Sequence, residues 1–394
     1  MKKASREDIR DVLVRGTSQV IDRSSLEKIL LGGKKLRVKL GIDPTAPDLH
    51  LGNAVVLRKL KQFQDLGHKV VLIIGDFTSQ IGDPSGKSKT RHPLSESEVK
   101  KNQKTYLAQA RKIIDMKKAE VYHNSTWYQK GGLKTLLRLA ASASIQQVMK
   151  REDFRQRLAS GGDVTILETL YPLLQGYDSV AVKADVEIGG HDQLLNLLMG
   201  RRVQRHFGMP EQQVLTTTLL IGTDGIQKMS KSVGNYIALT DAPNDMFGKL
   251  MSMPDRLMHA YFELCTDMPA LESERLIRAG NPRDAKLRLA REIVGLYHGK
   301  KAAAKAEEHF KKVFSRKEVS DDIPELRLPG GHIAAADIPV TAGIAKSKSE
   351  AWRLVEQGGV KVNDKAATDP RATVFLKTGD VVKIGKRNFF RVKI

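Results

Sequence analysis

Cysteine is almost missing from this chain. Cys265 stands alone among 394 residues, so no internal disulfide and no multi-cysteine zinc site is available. A reducing, cytoplasmic setting is the expectation. Long apolar runs are missing too. The longest strongly apolar stretch, 70–75, falls far short of the ~18 residues that span a bilayer, and no membrane partner is expected. The opening MKKASREDIRDV has two lysines but no apolar segment behind them, unlike a secretory leader. Acidic residues are outnumbered, 45 against 66 Lys and Arg, for a formal net charge of +21. Such an excess suits a polyanionic partner, either nucleic acid or an acidic membrane face. It also suits a plain enzyme of basic pI. With 41% hydrophobic and 28% charged residues, the chain has ample core for two to three domains. It shows no internal repeat and no low-complexity tract.

Alternation over 36–42 predicts a strand, broken by the Asp43-Pro44 turn. Helical spacing follows at Val56, Leu60, Phe63 and Leu66, and the apolar run 70–75 reads as a buried parallel strand. This is one β-α-β unit, which points to a doubly wound α/β sheet with right-handed crossovers. A capping box, Ser95 with Glu98, marks a helix start. Further helices are expected at 133–149, 151–159, 164–175 and 192–206, with strands at 182–188 and 214–221. From 243 to about 314 the pattern is helical, and a Pro/Gly-bearing segment at 315–331 reads as a boundary. The last 64 residues turn strand-rich and basic, with 12 Lys/Arg against 6 Asp/Glu.

Five motifs carry chemistry. His50-Leu51-Gly52-Asn53 sits where a strand gives way to a helix. Helix N-termini offer free N–H groups to phosphate, and glycine allows close approach; alone, the tetrapeptide also reads as a surface histidine at a helix start. Lys228-Met229-Ser230-Lys231-Ser232 places two ammonium groups where they could close over a triphosphate, or form a solvated basic loop. Gly82-Asp83-Pro84-Ser85-Gly86-Lys87-Ser88 is not a P-loop: three residues stand between its glycines where the motif needs four, and Ile81 stands where the first would be. Tyr171, Gln175 and Asp178 share one face of a helix. That polar stripe is costly to bury unless it binds something; otherwise it is an exposed face. Gly189-Gly190-His191-Asp192-Gln193 reads as a nucleoside-approach turn with a ribose acceptor at Asp192, or as a simple turn.

The first two motifs together, some 180 residues apart, resemble the ATP signatures of class I aminoacyl-tRNA synthetases. The Gly-Asp-Pro-Ser-Gly-Lys run and the Tyr171/Gln175/Asp178 spacing are similar to the tyrosyl-tRNA synthetases of bacterial type. The departures are Asn53 where the family has histidine, His191 for Ser/Thr, and Lys39 where some members have a tyrosine that meets the phenol. The segment from Ala342 to Asp380 resembles an S4-type RNA-binding module, with Trp352 at a position often held by arginine.

The resemblance implies a Rossmann-like catalytic domain (1–235), a helical domain and linker (236–330) and a small α+β S4-like domain (331–394). It implies an enzyme that activates L-tyrosine with ATP and charges tRNA(Tyr), with Mg2+ arriving on the nucleotide, no protein-caged metal, and a homodimer whose interface lies after about residue 112. By resemblance, His50, Asn53, Thr45, Lys228, Lys231, Lys87 and Arg91 serve the phosphates. Asp43, Gly52, Gly190, Asp192, Met229, Ser230 and Ser232 complete the ATP site. Asp83, Tyr171, Gln175, Asp178 and Gln193 hold tyrosine, with the phenol assigned to Asp178. Lys346, Lys348, Arg353 and Lys361 face RNA. A tryptophanyl-type synthetase and a non-catalytic RNA-binding relative are the alternatives.

Overall fold

The computed structural model describes residues 5–84, 95–314, 324–328, 331–345, 347–363, 365–385 and 388–394. Lys87, Arg91 and Lys346 lie outside the described residues. The chain falls into two compact units, Met1–Ala306 and Glu307–Ile394.

The first unit is built on a six-stranded sheet: β1 (Thr17–Ile21), β2 (Arg37–Ile42), β3 (Lys69–Ile74), β4 (Glu120–His123), β5 (Val186–Gly190) and β6 (Gln213–Thr217). Their order is β1-β6-β5-β2-β3-β4. β2 through β6 are parallel, and β1 is an antiparallel edge on β6. β3 has five consecutive buried residues, as a strand covered on both faces requires. From β2 the chain runs outward through β3 to β4, then returns to the other side of β2 for β5 and β6. The crevice between β2 and β5 is therefore the point where strand order reverses, the usual ligand position in such sheets.

Three helices shape that crevice: α1 (Leu51–Asp65), α2 (Ile166–Ala181) and α3 (Leu194–His206). α1 buries Leu57, Leu60 and Phe63 against the sheet. α2 starts at a capping box of Thr165 and Glu168 and holds Pro172 in its second turn, where the ring removes one i→i−4 hydrogen bond, the one to the Glu168 carbonyl. Gly176 of α2 meets α3 so closely that a Cβ there would lie 2.8 Å from Val203 and 3.2 Å from Gly200.

Several sequence expectations shift. The helix expected over 133–149 is two, Ser125–Ala140 and Ile145–Val148. Ser142 turns its hydroxyl back onto the Leu139 carbonyl (2.6 Å), and Ser144 begins the next helix with a capping box. The strand expected at 182–188 starts four residues later. α2 runs on to Ala181, and Lys183 takes a left-handed φ of 51°; the apolar Val182 and Ala184 belong to the turn.

In the second unit, β7 (Glu325–Arg327) lies parallel to β13 (Asn388–Lys393). Strand β7 thus belongs to the C-terminal sheet, ahead of the expected start at 331. That sheet also holds β9 (Val360–Val362), β10 (Lys365–Ala367) and β12 (Val381–Ile384), in the order β10-β9-β12-β13-β7. A separate ladder pairs β8 (Gly331–Ala334) with β11 (Thr373–Leu376). Helices Asp337–Thr341 and Lys348–Glu356 cover a core of Leu326, Ile338, Val355, Val360, Val382, Ile384 and Val392.

Candidate active site

The two phosphate-type signatures touch. The segment after the lysine loop zips onto the start of α1: Leu51 N–H donates to the Ile237 carbonyl (3.0 Å) and Leu239 N–H to the Leu49 carbonyl (2.8 Å), and His50 bridges Ala238. His50 is the N-cap of α1. Its Nδ1 accepts the Asn53 amide hydrogen at 3.3 Å, and Asn53 Oδ1 accepts that of His50 at 3.1 Å. Burial, together with the nearby Lys231 ammonium, lowers the His50 pKa to about 4. The ring is therefore neutral at pH 7, with its proton on Nε2. A Cβ at position 52 would lie 3.0 Å from this ring and 3.6 Å from Met229, so glycine lets the two signatures close together.

The lysine loop is a tight hairpin. Met229 N–H donates to the Leu220 carbonyl (2.7 Å) and Gly222 N–H to Gln227 (2.8 Å). Asn235 lies behind it. Its Oδ1 accepts from Ser230 N–H (2.8 Å), and its Nδ2 donates to Asp224 (2.9 Å) and to the Lys228 carbonyl (3.2 Å). Gly222 makes room for this side chain, since a Cβ there would sit 2.3 Å from the amide. Lys228 pairs with Asp192 at 2.7 Å, tying the loop to the Gly189-Gly190 turn. Lys231 Nζ donates to the Asp48 carbonyl. Burial lowers the Lys231 pKa and Asp48 opposes that.

The polar stripe of α2 lies at the other end. Asp178 is buried and held by three donors that the sequence motifs did not include. Its Oδ1 accepts from Tyr128 Oη (2.8 Å) and Trp127 Nε1 (3.0 Å), and its Oδ2 from Asn124 (3.4 Å). Burial raises the Asp178 pKa to about 6, against the pull of Lys39 and these donors. Tyr171 Oη donates to Asp43 Oδ2 (2.9 Å), while Thr78 donates to Asp43 Oδ1 (2.8 Å). Burial lifts Asp43 to about 7. Asp43 thus reaches the stripe as well as the ATP side. Gly75 is obligatory beneath it, because a Cβ would fall 1.9 Å from Asp43 Oδ1. Gln193 Nε2 donates to Asp83 (2.7 Å).

One cavity of about 920 Å3 is lined by residues of every motif: Asp43, Thr45, His50, Gly52 and Asn53; Asp83; Gln175 and Asp178; Gly190, Asp192 and Gln193; and Lys228 through Ser232. Tyr171 is not on its wall but stands behind it, joined to Asp43. Asn124, Trp127 and Tyr128 follow β4, a strand of four residues that periodicity did not reveal. Asn235 carried no signal beyond its place three residues after Ser232.

On the C-terminal unit, Lys348 and Arg353 are exposed and Lys361 is half-buried. Lys361 alternates with the buried Val360 and Val362 and lies opposite Lys383 across the ladder. The Arg371 guanidinium lies 5.3 Å above the Trp352 ring, so a cation stands at the position where the S4 resemblance expects one, brought by a different segment. Among the described residues no helix is long and apolar enough to cross a membrane, and no group of three or more His, Cys, Asp and Glu is placed to hold a metal ion.

Residues 32–315 match the family described as tRNA synthetases class I (W and Y), and residues 340–382 match the S4 domain. A tyrosine–tRNA ligase of Dehalococcoides mccartyi is 50% identical over 387 residues, 97% of each chain. One from Moorella thermoacetica is 47% identical over 391 residues, covering 97% of this chain and 94% of its own. Among solved structures, a C-terminally truncated mitochondrial tyrosyl-tRNA synthetase of Aspergillus nidulans superposes with a TM-score of 0.66 at 24% identity, covering 78% of this chain and 94% of its own. An Archaeoglobus fulgidus tyrosyl-tRNA synthetase complexed with L-tyrosine gives 0.63 at 19%, covering 77% and 100%; these two speak to the fold. On the family match and the near-full-length identity, the chain belongs to the class I tRNA synthetases and, within them, to the tyrosine–tRNA ligases.

Proposed function

We propose that this chain activates L-tyrosine with ATP and transfers it to tRNA(Tyr). The observation that carries the reading is the meeting of both ATP signatures and the α2 stripe on one cavity, in a chain 47–50% identical to tyrosine–tRNA ligases over nearly its whole length. The tyrosine phenol donates to Asp178, whose Oδ1 is already committed to Tyr128 and Trp127. The ammonium end lies toward Asp83 and Gln175, with Gln193 and Tyr171 fixing their surroundings. The tyrosine carboxylate attacks the α-phosphorus; the new O–P bond forms as the bond to pyrophosphate breaks. No side chain becomes a covalent nucleophile, so catalysis is positioning plus charge stabilisation. Lys228 and Lys231 offset charge on the departing pyrophosphate. His50, as a neutral N–H donor, Asn53, Thr45 and the first turn of α1 cradle the phosphates. Lys87 and Arg91 belong to the same group by resemblance. Asp192 accepts from ribose, and Gly190 lets the nucleoside come close. Magnesium enters on the nucleotide.

In the second step a ribose hydroxyl of the tRNA 3′ end attacks the activated carbonyl and releases AMP. Lys346, Lys348, Arg353 and Lys361 of the S4 unit hold the tRNA body through its phosphates. The functional division runs 1–235, 236–330 and 331–394, and β7, at the end of the middle part, pairs with β13 of the RNA-binding part. The working form is a cytoplasmic homodimer. Its support is the exposed apolar side chains that crowd one stretch of chain: Leu133, Leu137, Ile145, Leu158, Ile166 and Leu167.

The test is tyrosine-dependent exchange of labelled pyrophosphate into ATP. Exchange with tyrosine and none with tryptophan is expected. Exchange with tryptophan alone, or with neither, overturns the assignment.

A further inference from the structure

Lys39 and Glu187 are almost sealed from solvent, with side chains 0% and 1% exposed, and their charged atoms are 2.8 Å apart. Neither lines the cavity. The Lys39 ammonium also donates to the Gln175 carbonyl (2.9 Å) and to Ser179 Oγ (2.8 Å), the two α2 residues that bracket Asp178 in sequence. Glu187 accepts from the Gln175 side chain (3.2 Å) and from Ser179 Oγ (3.1 Å), and Gln212, the residue before β6, donates to it. A buried ion pair is weak support for stability, because desolvation offsets most of the attraction and an apolar pair often serves as well. This one grips Gln175, which lines the pocket, and Ser179, the residue after Asp178.

We propose that Lys39, paired with Glu187 beneath the pocket, is a positioning residue for tyrosine selection: it fixes the α2 turn bearing Gln175 and Asp178 and holds Asp178 as the carboxylate that receives the phenol. The proposal rests on the reading of the cavity as a tyrosine site. Asp178 is faced by Lys39 and Asp43 from β2 and its end, by Asn124, Trp127 and Tyr128 from the segment after β4, by Tyr171 from its own helix, and by Glu187 on β5 behind Lys39. Lys39 is the cation in that set. Asp43 is the anion that opposes it from the cavity side. Without Lys39, burial and Asp43 both favour the protonated acid, which turns a hydrogen toward the phenol instead of a lone pair.

The experiment measures pyrophosphate-exchange kcat/KM for tyrosine and for phenylalanine between pH 5.5 and 8.5, and follows their ratio. Phenylalanine lacks the phenol, so titration of Asp43 cancels and the ratio reports Asp178. With the Asp178 pKa at about 6, the wild-type ratio changes about twofold between pH 8 and pH 6. In the doubly neutral variant Lys39→Met/Glu187→Gln the ionisation moves up, and the ratio falls about tenfold over the same span, a shift of about one unit. Glu187→Gln alone, nearly isosteric, leaves the cation without its partner and flattens the profile. It supplies the reading if the double variant does not fold. Profiles that superimpose on wild type, or a loss equal at every pH in both variants, overturn the proposal. A wild-type chain that fails to exchange with tyrosine defeats the functional reading itself, a separate outcome.

Discussion

His50 and Asn53 cap each other. The imidazole Nδ1 accepts the Asn53 amide hydrogen at 3.3 Å, and the Asn53 carboxamide oxygen accepts that of His50 at 3.1 Å. One end of each side chain is used up in starting the helix, leaving His50 Nε2–H and Asn53 Nδ2–H2 as donors toward the cavity both residues line. The asparagine in place of the family's histidine therefore keeps both a cap and a donor.

This separates two substitutions. Asn53→Ala removes cap and donor together and is expected to cost about 1 kcal/mol of stability as well as activity. Asn53→Asp keeps the cap acceptor but brings a negative charge to the phosphates. Its melting temperature stays near wild type while exchange falls at least as far as in the alanine variant. Thermal melts beside pyrophosphate exchange check this; an aspartate variant as active as wild type shows that position 53 does not face phosphate.

Burial sets a pH dependence at His50. Its pKa is about 4 in the folded chain and near 6.5 unfolded. The unfolded chain thus takes up the extra proton first, and the stability that neutral His50 supplies above about 6.5 is lost as pH falls toward 4. Nucleotide chemistry at neutral pH does not depend on His50 charge. His50→Asn is expected to flatten acid destabilisation between pH 6.5 and 4 in melts at fixed ionic strength. An unchanged slope shows that the ring is solvated.

Much of this was legible in the sequence because chemistry and periodicity coincided there. β2, α1 and β3 follow from alternation, a 3.6-residue apolar period and a short apolar run, and both phosphate signatures carry unusual residue spacing. The environment of Asp178 was not legible. Asn124, Trp127 and Tyr128 reach it from 50 to 54 residues away, after a β4 strand with only four residues and no fully buried position. Lys39 was hidden for another reason: in a strand with the pattern Val38-Lys39-Leu40, a lysine reads as the solvent-facing partner, yet it is the most buried cation described. Only the position of Glu187, 148 residues later, explains it.

Asn235 stitches the lysine loop to itself through Ser230, Asp224 and the Lys228 carbonyl. Asn235→Ala leaves those groups unmatched, at about 1–3 kcal/mol for a buried set. The loop then spends less time in the geometry that places Lys228 and Lys231. Exchange kcat is expected to fall about tenfold or more while equilibrium binding of tyrosine, made at the far end of the cavity, is unchanged. Equal loss of tyrosine binding refutes a role confined to the loop.

The exposed side chains of Leu137 (62%) and Ile166 (82%) are costly on a lone molecule, at about 25 cal/mol per Å2 of apolar surface left in water. Sedimentation is expected to give a dimer for the wild type and a monomer for Leu137→Asp/Ile166→Asp. A monomeric wild-type chain, or a dimer that survives both aspartates, removes this stretch from the interface.

Arg371 over Trp352 offers RNA a flat cation: the guanidinium is held against the ring at 5.3 Å, a contact worth roughly 0.5–1 kcal/mol at an exposed site. The cation remains free to meet a phosphate. Arg371→Ala is expected to leave pyrophosphate exchange untouched, because no described residue of this unit lines the catalytic cavity. It should raise the KM for tRNA and reduce the salt dependence of tRNA binding by about one counterion, as loss of a single phosphate contact does. Trp352→Arg in the Arg371→Ala background returns a cation to the same place from the helix, and it should recover most of the lost salt slope. If Arg371→Ala weakens exchange and charging alike, the fault is one of folding. If neither the KM for tRNA nor the salt slope moves, this edge of the S4 unit does not touch RNA.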